Sequence, residues 1–276
     1  MKKFTKITMI VSLVCIVVGM ALMVATGFLG DLYHGLKKLH FGPNGIDIQE
    51  FVQLEEGDKE YHDTRIAGNE IRELEISVKA ATLKIITDDK RDGITIVDSS
   101  EALDVSYFIE EDTLSLYIEK KNKYHVNTSL DDVTLTLMIP EHLRFDELEI
   151  DLNAGAMNAE GLAAEEFGLN LNASAVMLND VEAGTLDVDG NAGALFLNGE
   201  VQKELDLSCN AGAMELELKG AYEDFSYEIN SKIGEIRVGQ YEYSGLSDGV
   251  FEEREGSQKK AKLECKAGSV DVRFYE

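Results

Sequence analysis

A chain of 276 residues with 52 Asp and Glu against 26 Lys and Arg carries a formal charge of −26. Such a surface repels phosphate backbones, which argues against a nucleic-acid partner, and repels anionic lipids and wall polymers unless divalent cations intervene. Its simplest role is to keep the chain soluble. A 44% hydrophobic content excludes disorder by composition, and the length suffices for one large or two modest domains with a core.

The N-terminus begins MKKFTK and continues into Ile7–Leu29, twenty-three residues without a charge. That is long enough to cross a bilayer as a helix, and longer than the apolar stretch of a cleaved signal peptide. Lys2, Lys3 and Lys6 place the start in the cytoplasm by the positive-inside rule, so everything after Gly30 is expected outside it. Residues 1–30 therefore read as a basic start and transmembrane anchor. Residues 31–70 read as a juxtamembrane connector, in which DLYHGLKKLHFGPNG (31–45) suggests a continuing or interfacial helix ended by Pro43.

Residues 71–276 are governed by a repeat. NAGA or NASA occurs four times, at Asn153, Asn172, Asn191 and Asn210, always nineteen residues apart. With Gly155, Ser174, Gly193 and Gly212 as zero points, apolar residues recur seven and five positions before, and two and four after. The columns are Leu148, Phe167, Leu186, Leu205; Ile150, Leu169, Val188, Leu207; Met157, Val176, Leu195, Met214; and Ala159, Leu178, Leu197, Leu216. The same frame fits Leu74, Ile76, Leu83 and Ile85 around Ala81, Tyr227, Ile229, Ile236 and Val238 around Gly234, and Ala261, Leu263, Val270 and Val272 around Gly268. Period-two alternation on both sides of a fixed corner predicts strand, corner, strand and a seven-residue return such as EGLAAEE. A period near twenty predicts units that bury an apolar face only by stacking. The fold class is all-β: a β-solenoid of about seven coils with a hairpin insertion, preceded by one transmembrane helix.

NAGA then reads as a structural device. Glycine supplies the corner backbone, small alanines pile up without lateral room, and each asparagine can bond to the one a coil away. The insertion, 86–147, holds strand-like ITIV, VSYFIEEDTLSLYIEK and VTLTLMIP, with hairpin turns near Asp92-Gly93 and Glu111-Asp112, and is expected to extend or cap one end. Residues 239–260 read as a long polar surface loop. Cys209 and Cys265 fall in one template column with Ser231 between them. Two coils apart is about 9–10 Å, too far for a disulfide, so they read as buried free thiols. Cys15 lies in the apolar run.

No motif carries chemistry. GLSDG around Ser247 mimics a nucleophile elbow, but no histidine follows His142 and its surroundings are a charged loop. Asp187, Asp189 and Asn191 suggest a calcium loop, yet Ala192 and Asn198 stand where glycine and glutamate are required. His34, His40, His62, His125 and His142 show no ligand spacing. Glu160, Glu165, Glu166, Asp180 and Asp187 could imitate the carboxylates of a solenoid glycan-cleaving enzyme, with no arginine or lysine expected to join them in the regular coils. Asn127-Thr128-Ser129 and Asn172-Ala173-Ser174 match the glycosylation sequon, the second already explained by the corner. No catalytic, cofactor-binding or metal residue is assigned.

VTLTLMIPEHLRFDELEIDLNAGAMNAEGL (133–162), a strand ending in Pro140 followed by coils, resembles the signature of the bacterial putative-adhesin family, which includes LiaG-like envelope proteins with one N-terminal transmembrane helix. The resemblance runs over most of Leu74 to Phe274. It implies an envelope-associated domain with no established catalytic residues. The NAGA corners depart from the Ser-Gly-Asp that many relatives favour. The expected function is a membrane-anchored, extracytoplasmic, non-enzymatic interaction module with no cofactor, attached through its N-terminal helix, its partners envelope or surface proteins or glycans. An accessory role in envelope-stress signalling is the alternative, and a carbohydrate-active face the remote one.

Overall fold

The computed structural model describes residues 39–42, 45–48, 62–67, 71–90, 92–98, 102–121, 133–244, 250–252, 254 and 256–276. The apolar run Ile7–Leu29, Ser247 and Asn127 lie outside them. Two units are distinguished. In the first, β1 (Leu39–Gly42) and β2 (Gly45–Ile48) pair antiparallel, Gly42 opposite Gly45. The interfacial helix expected to run up to Pro43 is therefore not formed over 39–42. A proline pushes the residue before it out of the helical region, here Gly42, and the backbone on either side pairs as strands.

The second unit is all-β. Its strands are β3 (His62–Ala67), β4 (Glu73–Asp88), β5 (Gly93–Asp98), β6 (Leu103–Glu110), β7 (Thr113–Lys120), β8 (Thr134–Pro140), β9 (Phe145–Glu160), β10 (Ala163–Lys219), β11 (Phe225–Ser231), β12 (Glu235–Val238), β13 (Tyr241–Ser244), β14 (Val250–Glu252), β15 (Lys259–Cys265) and β16 (Ser269–Tyr275). β3 comes from within the 31–70 segment and pairs antiparallel with β5.

Each repeat is one rung of a parallel stack. β10 runs alongside β9 in unbroken nineteen-residue register, with Phe167 on Leu148, Leu169 on Ile150, Val176 on Met157 and Leu178 on Ala159. All the template's apolar residues in its seven segments are buried. A fully buried aliphatic side chain contributes roughly 1.5–3 kcal/mol, so the columns are the principal source of cohesion. The interior is wider than the template foresees. Leu152, Leu171 and Cys209, three before the zero point, are buried, and so are Leu162, Ala164, Val181, Ala183 and Val201 on the returns. The return is thus an apolar wall, marked by a second corner where Gly161 (φ 73°) and Asp180 (φ 54°) turn left-handed.

At the NAGA corner the glycine is required by space as much as by torsion. A Cβ on Gly155 (φ 140°) would lie 1.9 Å from the Ala81 carbonyl oxygen, and one on Gly193 (φ 150°) would lie 2.2 Å from that of Ser174. Each corner backs onto the next. The asparagines form a ladder: Asn172 donates to Asn153 (2.8 Å), Asn191 to Asn172 (2.7 Å), Asn210 to Asn191 (2.7 Å), and the Lys266 ammonium caps Asn210 (2.7 Å).

The ends depart from chain order. β4 is covered on one side by β9 and on the other by β7 and β8, which lie parallel on its two arms. β6 then covers β7, and β5 covers β8, both antiparallel. The insertion caps the end, as expected, and Glu111 (φ 56°) makes the β6–β7 turn. However, β5 pairs with β8 and β3, so the turn near Asp92-Gly93 does not join paired neighbours. At the opposite end, the final coil, β15 and β16, lies directly on the last coil of β10, with Leu207 on Leu263 and Met214 on Val270. The earlier coil, β11 and β12, stacks outside it. This overturns the expectation that Cys209 and Cys265 are two coils apart. Both are buried free thiols, but they face each other on adjacent rungs, and Ser231 lies beyond Cys265. Within the polar stretch 239–260, expected as a loop, two short strands form. β13 pairs antiparallel with β12, and β14 with β11, closing this end as β6 and β5 close the other.

Candidate interaction face

In the first arm of each coil the template points Leu148, Ile150 and their equivalents inward. Period two then turns the intervening residues outward. Those residues are Glu73 and Glu75 on β4, Glu147, Glu149 and Asp151 on β9, and Glu166, Asp187, Asp189, Glu204 and Asp206 along β10. Register places Glu73 beside Glu147, Glu75 beside Glu149 and Glu147 beside Glu166. The result is a flat, rigid face of carboxylates over five successive coils. Lysines meet it at the β15 end, where Lys260 and Lys262 lie opposite Glu204 and Asp206 and the Lys262 ammonium donates to Asp206 (2.6 Å).

Burial and the crowding of like charge act together on two of these carboxyls. Burial, and then Asp151, Glu147 and Glu75, push the Glu149 carboxyl above its ordinary value. Burial, and then Asp206 and Asp189, do the same to Asp187, with Lys262 opposing them. At the β7 edge the face is relieved by hydroxyls, Thr113 donating to Glu73 (2.6 Å) and Ser115 to Glu75 (2.8 Å). Asn170 donates to Asp151 (2.8 Å) within the same face.

The second arm is different. Its outward residues are Ala156, Ala175, Ala194 and Ala213 with Asn158, Met177 and Phe196, all half-buried and uncharged. Charge appears at the two ends of this arm's stack, with Lys84 on β4 beside Asn158 and, near the last rungs, Arg273 paired with Glu215 (2.6 Å) and Asp271 (2.9 Å), while Glu160 closes the β9 arm.

The candidate carboxylates are not brought together. Glu166 and Asp187 belong to the acidic arm, Glu160 ends the opposite arm, and Asp180 occupies the second corner. Glu165 lies off that face and, against expectation, has basic partners: Lys203 and Arg144 engage it. The Lys203 hydrogen bond, the largest influence, holds its carboxyl below the ordinary value. A lysine in the return VQK reaches a glutamate two coils away, a contact visible only once the rungs are stacked. Asp187 and Asp189 project from a strand, Asn191 is used by the ladder, and among the described residues no group of three or more His, Cys, Asp and Glu is arranged to hold a metal ion. An interior void of about 10 Å³ lies among Leu171, Gly190, Leu195, Cys209 and Met214, and is far below the few hundred cubic ångströms of a small-molecule site. In the sequence the acids of the two arms are not distinguished by type; the signal that isolates this face is their odd offset from the buried columns.

Residues 71–240, more than half the chain, match the model of the Toastrack DUF4097 family. The chain belongs to that family. Among solved structures, a "putative cell adhesion protein" from Clostridium sporogenes is similar at 12% identity and a TM-score of 0.42, over 79% of this chain and 100% of that one. A "putative adhesin" from Bacteroides fragilis is similar at 10% identity and a TM-score of 0.28, over 78% and 98%. One from Parabacteroides distasonis is similar at 13% identity and a TM-score of 0.29, again over 78% and 98%. No curated protein matches the chain. The Toastrack match spans β4 to β12, so it covers the regular coils and the N-terminal cap but stops before the final coil.

Proposed function

We propose that this Toastrack protein is a membrane-anchored, extracytoplasmic interaction module of the bacterial envelope, without catalytic activity, that docks a cationic partner on its acidic arm. The observation that carries the reading is the in-register carboxylate face, flat and rigid over five coils with Lys260 and Lys262 at its β15 edge. A stack of hydrogen-bonded strands holds such charges at fixed spacing, which suits contact with an extended basic surface such as a protein segment rich in Lys and Arg. Anchoring rests on the uncharged Ile7–Leu29 run behind three lysines.

The test uses the full chain in detergent or bilayer discs. Capture of envelope components is compared between the native protein and a variant carrying Glu149→Gln, Asp151→Asn, Asp187→Asn and Asp189→Asn. The native protein is expected to retain a basic partner at low salt and release it as screening rises. Capture unaffected by salt and by the four substitutions would remove the acidic arm as the contact. External protease on intact cells should remove the 71–276 region; full protection would place that region in the cytoplasm and end the extracytoplasmic reading.

A further inference from the structure

Cys209 and Cys265 are separated by about 55 residues of chain yet stand opposite each other on adjacent parallel strands. The backbone confirms the register, the Lys266 amide donating to the Cys209 carbonyl (2.8 Å) and the Ala267 amide to the Asn210 carbonyl (2.9 Å). Neighbouring strands lie about 4.8 Å apart, within the roughly 4.4–6.8 Å that disulfides span between Cα atoms. Both side chains point into the core, 1% and 0% exposed, on directly opposed rungs. Corner glycines clear space around them: a Cβ on Gly234 would fall 2.3 Å from the Cys265 sulfur, and one on Gly268 would fall 3.2 Å from that of Cys209. On the other side of Cys209 the column is occupied by Gly190, whose missing side chain leaves its space to the Met214 methyl.

We infer that Cys209 and Cys265 are a redox pair that closes into a disulfide and staples the final coil to the regular stack. The chemistry is exchange with a disulfide oxidant, either a small molecule or a protein. The Cys265 thiolate attacks one sulfur of R–S–S–R, forming a mixed disulfide and expelling RS⁻. Cys209 then loses its proton and attacks the Cys265 sulfur, expelling the second RS⁻. Two protons and two electrons leave the pair, and two RSH are produced. The order of attack follows from the surroundings. The neighbouring Cys209 thiol outweighs burial in lowering the Cys265 pKa, while the Cys265 thiol and burial both raise that of Cys209. Because both sulfurs are enclosed, exchange takes place as β15 inserts during folding or when the last rungs open, the ends of a stack being where local opening is easiest. The inference goes beyond the docking proposal and does not depend on it.

The full chain, with its three cysteines, is incubated with oxidised glutathione both at 25 °C and just below its melting midpoint, acid-quenched, denatured and alkylated. The warmed sample is expected to show one alkylatable thiol, Cys15, and a linked peptide pair containing Cys209 and Cys265, with three thiols restored by a dithiol reductant. The oxidised form should melt higher by on the order of 10 °C, as closing a long loop in the unfolded chain implies. Cys209→Ser and Cys265→Ser should each abolish that rise; serine already occupies this column, buried, at Ser231. Three alkylatable thiols at both temperatures, or linkage through Cys15, would overturn the inference, and the thiol count on the native chain decides it even if a variant fails to fold.

Discussion

The regular middle of the stack and its two ends solve the same problem differently. From Phe145 to Lys219 chain order is rung order, each coil resting on the one before it, and a single template describes every layer. At each end the template segment that is first or last in chain order, β4 at one and β15–β16 at the other, is covered by other strands, β7 and β8 at one and β11 and β12 at the other. A repeating sequence can extend a stack but cannot end it, because its last unit leaves an apolar face and an open strand edge. The ends therefore abandon the repeat. They use antiparallel strands, β6 and β5 at one, β13 and β14 at the other, and aromatic mass. Tyr222 stacks on Tyr227 (4.6 Å between ring centroids) and lies beside Tyr241 and Phe274, with the Arg254 guanidinium 4.3 Å above its ring.

The comparison is broken most severely by a charge in the middle. Leu207→Asp places a carboxylate, fully buried and without a partner, between Val188 and Leu263, and should cost more than about 5 kcal/mol and unfold the region. A retained cooperative melt with native circular dichroism would displace Leu207 from the spine. Gly193→Val comes next. It forces both a left-handed torsion and a collision with the Ser174 carbonyl oxygen, for an expected loss of about 3 kcal/mol by thermal melting. An unaltered midpoint would mean that the corner relaxes freely.

Tyr222→Ala should cost a similar or smaller amount, about 2–4 kcal/mol, but locally. Hydrogen exchange should accelerate over β11–β14 while β9 and the first coil of β10 keep their protection, and acceleration spread evenly would erase the distinction between end and middle. The smallest effect concerns the acidic arm. The folded state holds a proton on Glu149 more tightly than the unfolded chain does, so stability increases as pH falls from neutrality through the raised pKa toward 4.5. Glu149→Gln removes the repulsion at neutral pH and should raise the melting temperature there by about 1–2 °C, with the advantage vanishing on acidification. An equal difference at every pH would assign the change to something other than charge.

The same contrast governs how much of the molecule was legible in the sequence. Ile150, Leu169, Val188 and Leu207 recur at an interval that stacking converts directly into a column, so the middle followed from periodicity alone. Nothing local in β15 says that it pairs with 204–209 rather than with β11: Leu263 fits equally well on Leu207 or Ile229, and in the fold it touches both. Rung order is a property of connections. The stretch GQYEYSGLSDGVFEEREGSQKK looked like a loop because β13 and β14 are short and largely exposed, bearing charge where a core strand bears apolar residues. The acidic arm was half legible. Its residues were visible, but their common face emerges only when inward columns are assigned first, and the Glu165–Lys203 contact requires the stacking itself.

The placement of the last coil has a consequence for synthesis. β11 and β12 precede β15 and β16 in the chain yet rest on them, so they leave the ribosome before their support exists. Until then the outer layer has no neighbour to lean on, and the Lys219 end of β10 stands bare. A chain interrupted between β12 and β15 would yield not a shorter stack but one with a gap beneath its lid.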